Sequence, residues 1–128
     1  MLIYLASPYS SPDPEVQEFR YLETMRCLCS MFERGLSVIS PIVQNHELAK
    51  RFSLPGDFRF WQIFNQACIL KCDQMRVFTL PGWKESKGVS SEVRFALNNN
   101  KVVETWELQY HVSYTEFQGY LAERSPQT

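Results

Sequence analysis

Met75-Arg76-Val77-Phe78-Thr79-Leu80, then Pro81-Gly82-Trp83-Lys84-Glu85-Ser86-Lys87-Gly88-Val89-Ser90-Ser91-Glu92, then Val93-Arg94-Phe95-Ala96-Leu97 read as a strand, a loop and a helix in succession. The first run is short, apolar and closed by a proline–glycine pair, as a buried strand is. The loop carries Gly82 and Gly88 with Ser86, Ser90 and Ser91, and it delivers the Glu92 carboxylate into the first turn of the following helix. A loop of this kind can hold an anion beside a reactive carboxylate.

The same alternation extends to both sides. Leu2–Ala6 is an opening strand, and Ser7-Pro8-Tyr9-Ser10-Ser11-Pro12-Asp13-Pro14 is a loop whose prolines suit neither a ladder nor a helix interior. A helix starts near Pro14, with Leu22, Met25, Cys29 and Phe32 as its apolar stripe, and Gly35 ends it. Leu36–Ser40 is a second strand, followed by a loop or short helix from Gln44 to Phe52. A long helix from about Phe58 to Cys72 has Asp57 as its cap, with Phe60, Phe64, Ala67 and Leu70 as one stripe and Trp61, Asn65, Cys68 and Cys72 as a more polar neighbour. After the Ser90–Asn99 helix and a turn at Asn98-Asn99-Asn100, Lys101–Thr105 is a fourth strand; a last helix is expected over about 113–123. Strands alternating with helices predict one α/β domain over residues 1–128, its core about 2–105, with a mostly parallel sheet of four or five strands covered on both faces.

Composition narrows the function. A formal net charge of −1 signals neither a nucleic-acid polymer nor an anionic membrane as partner. No run approaches the ~20 apolar residues of a membrane span, and Met1-Leu2-Ile3-Tyr4 has no basic segment ahead of an apolar core, so the cytoplasm is the expected compartment. Cys27, Cys29, Cys68 and Cys72 form no C-x-x-C pair, and core packing outweighs a half metal site at Cys68 and Cys72.

Ligands of an open parallel sheet bind beyond the carboxyl ends of its strands. The loops meeting there carry Ser7, Tyr9 and Ser10, then Pro41 to His46, then Gly82 to Glu92. Asp73 precedes a strand and belongs to the opposite edge. Glu92 reads either as a carboxylate favoured by the helix dipole, or as a nucleophile kept ionised by the same field. Ser86, Lys87, Gly88 and the amides after them read as an anion cradle or as a plain surface turn; neither a G-x-x-x-x-G-K-[ST] nor a G-x-G-x-x-G pattern is present. His46 is a loop histidine with access to the pocket, and His111 is structural or exposed. Trp61 and Trp83 suit packing, and Trp83, on the loop, is the better stacking candidate.

Tyr4-Leu5-Ala6-Ser7-Pro8-Tyr9-Ser10, Ser40-Pro41-Ile42, Leu80-Pro81-Gly82-Trp83 and Ser86-x-Gly-Val-x-x-Glu92 resemble the nucleoside 2-deoxyribosyltransferase superfamily, over roughly residues 2–103. The resemblance implies a flavodoxin-like or Rossmann-like three-layer sandwich without a cofactor. It implies cleavage of an N-glycosidic bond in a nucleotide or nucleoside, by hydrolysis or by transfer of the sugar. Glu92 would be the nucleophile, with Tyr9 and the Asn65 position also catalytic; Ser86 and Gly88 would bind a 5′-phosphate, Ser7 and Tyr9 would line the sugar site, and Tyr4 would contact the substrate. It also implies a homodimer or larger homo-oligomer. The resemblance strains at Asn65, where members of the superfamily carry an aspartate that handles the proton of the leaving base; an amide cannot act as that acid. His46, Asp57 or water would then take over the task, or the pocket would bind nucleotide without turnover. A third reading, an electron carrier of flavodoxin type, has little support, because no serine and threonine run suited to a flavin phosphate follows the first strand.

Overall fold

The computed structural model describes residues 1–108. Its elements run β1 (Leu2–Ala6), α1 (Pro14–Glu33), β2 (Ser37–Ile39), α2 (Pro41–Arg51), α3 (Phe58–Lys71), β3 (Gln74–Phe78), α4 (Lys87–Asn98) and β4 (Val102–Trp106). The strands form one sheet in the order β2-β1-β3-β4, every pairing parallel. This is the predicted α/β sandwich of flavodoxin-like or Rossmann-like type. The expected helix at 113–123 and His111 lie outside the described residues.

β1 supplies both cores by strict alternation. Ile3 and Leu5 join Phe19, Cys27 and Met31 of α1 and Phe78 of β3 on one face. Tyr4 and Ala6 join Ile69 of α3, Val89 and Ala96 of α4, and Met75 and Val77 of β3 on the other. α2 packs against α1. Asp73 lies at the amino-terminal edge, where its carboxylate accepts from Leu2 N at 2.7 Å. Cys68 and Cys72 are free and pack with the second core.

Caps explain the boundaries. Asp13 caps α1 by accepting from Glu15 N at 2.9 Å, with Pro14 as first helical residue. At its end Gly35 takes φ 79°, Gly35 N reaches Phe32 O and Leu36 N reaches Met31 O, a Schellman closure. Asn100, at φ 61°, closes α4 in the same way. Ser40 caps α2 through Val43 N and places Pro41 in the first turn, so His46 is on a helix rather than a loop.

Apart from Leu22, which packs against the first core, the apolar stripes expected on α1 and α3 face outward. On α1, Met25, Cys29 and Phe32 are exposed, while Phe19, Thr24, Cys27 and Met31 are buried. On α3, Phe60, Ile63, Phe64 and Leu70 are exposed, and Ile69, Cys68 and Cys72 pack towards the sheet. Both helices carry apolar residues around their circumference, so spacing alone fits two faces. Thr24 can be buried because its hydroxyl donates to Arg20 O at 2.7 Å.

The two faces of α1 separate in a stability series. Met31→Ala, at a fully buried site, is expected to cost about 2–5 kcal/mol. Met25→Ala, at an exposed one, should stay within about 0.5 kcal/mol of the native chain in urea unfolding.

Candidate active site

A cavity of about 910 Å³ opens at the carboxyl ends of β1 and β3, a volume within the usual range for small-ligand sites. Tyr4, Ser7, Tyr9, His46, Asn65 and Glu92 all line it. Residues taken from separate parts of the sequence are therefore brought together.

Tyr4 points from β1 into the core beneath α4, where its hydroxyl donates to Glu92 Oε2 in a short hydrogen bond. Burial pushes the Glu92 carboxyl up to about 7, against the partial opposing effect of the Tyr4 hydrogen bond. Tyr4 is itself driven well above the usual phenol range by burial and by the Glu92 charge. The expected helix-field effect is corrected here. α4 starts at Lys87, not near Ser90, so Glu92 sits in the second turn, beyond the reach of the free amides. Burial is the larger influence, and it favours the neutral carboxyl.

Ser86 is the cap of α4: its Oγ accepts from Val89 N at 3.1 Å, and its hydroxyl proton remains for a ligand. Gly88 lines the cavity, but a Cβ there would meet Phe58 Cδ2 only at 3.7 Å, an ordinary contact. The sterically required glycine is Gly82, at φ 100°, where a Cβ would stand 2.7 Å from Arg20 Nη2. Arg20 was not singled out by the sequence pattern. It reaches from α1 to the same cavity, donates to Ser10 O at 2.8 Å, and has no carboxylate within ion-pair distance among the described residues. Burial lowers its pKa, a sign that its charge lacks full compensation. Lys87 lines the same cavity, as does Glu85. The signal available in sequence was only the spacing that puts Arg20 on the first turns of α1 facing the Pro81–Gly82 turn.

Ser7 Oγ and Asn65 Oδ1 are buried without a protein partner. Such groups cost about 1–3 kcal/mol when left unpaired, so both favour a polar ligand. Asp57 lines the mouth but is exposed and already caps α3 through Phe60 N at 2.8 Å. Trp83 is not part of the cavity wall; it packs on the second core, with the Lys84 ammonium 5.6 Å from its ring centre. Trp61 takes the place at the wall, held by its Nε1 donating to Pro55 O at 2.8 Å.

His46 is buried and fully engaged. Its Nδ1 is 2.6 Å from Tyr9 Oη, its Nε2 is 2.7 Å from Glu18 Oε2, and Tyr21 stacks on it at 4.0 Å. Glu18, His46 and Glu47 bring oxygen and nitrogen atoms within 4.8 Å, as a metal site would. Both imidazole nitrogens are already bonded, and Lys50 Nζ lies 3.5 Å from the same Glu18 oxygen, an arrangement suited to protons rather than a cation.

The Glu92 shift makes a stability prediction. Its folded value lies above the ordinary 4.5, so the unfolded chain loses this proton first as pH rises, and stability declines between about 4.5 and about 7. Glu92→Gln is expected to be more stable than the native chain by roughly 2 kcal/mol at pH 8, the full shift being discounted for the solvent contact the side chain keeps. The two should coincide at pH 4. Thermal melts of both proteins across that range check it.

No helix of the described residues is long and apolar enough to cross a membrane. No curated protein matches the chain. A family model described as "Domain of unknown function (DUF1937)" matches residues 1–108, so with β1 through β4 and every cavity residue inside the matched span, the chain belongs to that family.

Proposed function

We propose that this protein cleaves the N-glycosidic bond of a nucleotide or nucleoside through a covalent glycosyl–Glu92 intermediate, resolved by water or by a second base. The observation that carries this reading is the Glu92 carboxyl at the wall of the cavity, oriented by Tyr4, with Ser86, Arg20 and Lys87 lining the same cavity. The resemblance to the nucleoside 2-deoxyribosyltransferase superfamily supports it at the same residues. Tyr4 occupies Oε2, which leaves Oε1 to attack the anomeric carbon. The Arg20 and Lys87 charges suit a 5′-phosphate, the unpartnered Ser7 Oγ suits a sugar hydroxyl, and the Trp61 ring suits the base. A nucleoside monophosphate fits the cavity volume.

The competing reading is a nucleotide-binding module without turnover. Asn65 favours it, since its amide has no proton to give the leaving base. Incubation with each deoxynucleoside monophosphate separates the two. Base release by the native chain, reduced at least a thousandfold in Glu92→Gln, is the expected result; binding without release by both proteins establishes the module instead. Activity should rise with pH through about 7 as Glu92 ionises. Arg20→Ala, which removes a charge, and Ser86→Ala, which removes a hydroxyl donor, should each weaken monophosphates more than nucleosides, by about tenfold for Arg20. Equal losses on both ligands remove the phosphate assignment.

The protein is further proposed to act as a homodimer through the exposed Phe60, Ile63, Phe64 and Leu70 stripe. That helix also lines the cavity mouth through Phe58 and Trp61, so a second copy seated there would narrow the entrance. Sedimentation of Ile63→Lys should show monomer where the native chain shows dimer.

A further inference from the structure

Asn65 leaves the proposed reaction without an acid for the departing base, yet the cavity wall holds a hydrogen-bonded chain that the Glu92 reading does not use. Tyr9 Oη, His46 and Glu18 lie in sequence at 2.6 and 2.7 Å. They come from three different places: the loop after β1, the middle of α2 and the first turns of α1. His46 is only 4% exposed, and its ring plane is fixed between Tyr21, stacked at 4.0 Å and 20°, and Tyr9, edge-on at 5.5 Å. Tyr9 and His46 both line the cavity that Glu92 lines.

Only one arrangement of protons satisfies every atom when His46 is neutral. Glu18 accepts, so Nε2 carries the hydrogen, and Nδ1 accepts from the Tyr9 hydroxyl. The Tyr9 oxygen then keeps its lone pairs for the cavity. This is the logic of a hydroxyl, an imidazole and an orienting carboxylate. The charged and titratable groups around His46 are Glu18 on α1, Glu47 and Lys50 on α2, and the Tyr9 and Tyr21 phenols. Burial and the Glu18 and Glu47 charges hold the Tyr9 proton in place, so Tyr9 passes protons and does not rest as a phenolate.

Resting on the Glu92 reading, we infer that Tyr9, His46 and Glu18 form a proton relay that replaces the missing acid at Asn65. Tyr9 is the catalytic member, and His46 and Glu18 act through it. When water resolves the glycosyl–Glu92 ester, its oxygen bonds to the anomeric carbon and the carbon–oxygen bond to Glu92 breaks, returning that electron pair to the carboxylate. The water proton goes to Tyr9 Oη as the Tyr9 proton moves to His46 Nδ1, and Glu18 faces the imidazolium so formed. In the next cycle Glu92 attacks, the carbon–nitrogen bond breaks, and the stored proton returns through Tyr9 to the nitrogen of the leaving base. One proton is stored and released per turnover, and the first turnover draws its proton on His46 from solvent.

The test compares leaving groups that do and do not need this proton. Tyr9→Phe keeps the ring on His46 and removes only the hydroxyl. With deoxyguanosine monophosphate, base release by Tyr9→Phe should fall about a hundredfold, while equilibrium binding stays within about twofold. With the N7-methylated nucleotide, whose base departs without protonation, Tyr9→Phe should release its first equivalent of base at near the native rate. It should then accumulate the Glu92 adduct, visible by intact-protein mass spectrometry. Glu18→Gln should show the same pattern at about tenfold. Equal loss on both substrates without adduct, or native rates on both, overturns the relay while leaving Glu92 as nucleophile. A native protein that releases no base from either nucleotide overturns the relay and the Glu92 reading together.

Discussion

β1 is the first strand in sequence and an inner strand in space, paired in parallel to β2 on one side and β3 on the other. The rest of the molecule follows from that position. The chain must leave β1 towards one edge to build β2, then cross back over β1 to reach β3. Right-handed crossovers place these two connections on opposite faces of the sheet. α1 therefore covers one face and α3 the other, and the loops after β1 and β3 diverge at their carboxyl ends. The cavity is the space between those loops.

The alternation of β1 then dictates the chemistry within it. Ile3 and Leu5 go to the α1 face, which obliges Tyr4 to bury a phenol on the other. A buried hydroxyl needs a partner, and Glu92 on α4 provides one. The pairing orients the carboxyl but does not restore the solvation it loses, so its pKa moves up to about 7. A carboxyl so placed is neutral or ionised at little cost near physiological pH, a condition that would suit the nucleophile role proposed for it. Across the cavity, the opposite strategy governs Arg20. There a charge is kept ionised and short of partners, and Gly82 is the residue that leaves room for it.

Much of this was legible in residue order. The strand–loop–helix succession around Glu92, the prolines at 8, 12 and 14, and the Asp57 cap all act within a few residues of chain. Local patterns carry local physics, so the elements and the parallel sheet were accessible. The outward turn of the Met25–Phe32 and Phe60–Leu70 stripes was not, because a helix apolar on several sides leaves its buried face to whichever neighbour packs first. Ser90 looked like a start for α4, yet Ser86 captured Val89 N and moved the helix four residues earlier, taking Glu92 out of the first turn.

The sequence by itself determined the order of strands and helices, their caps, and the presence of Glu92 and Ser86 on one loop–helix segment. Only the tertiary structure decided what those groups meet. Tyr4 and Glu92 are 88 residues apart, Tyr9 and His46 are 37 apart, and His46 and Glu18 are 28 apart. No periodicity links such positions. They meet because the sheet places the carboxyl ends of its strands side by side, and because burial favours those polar groups that find a partner in the space that remains.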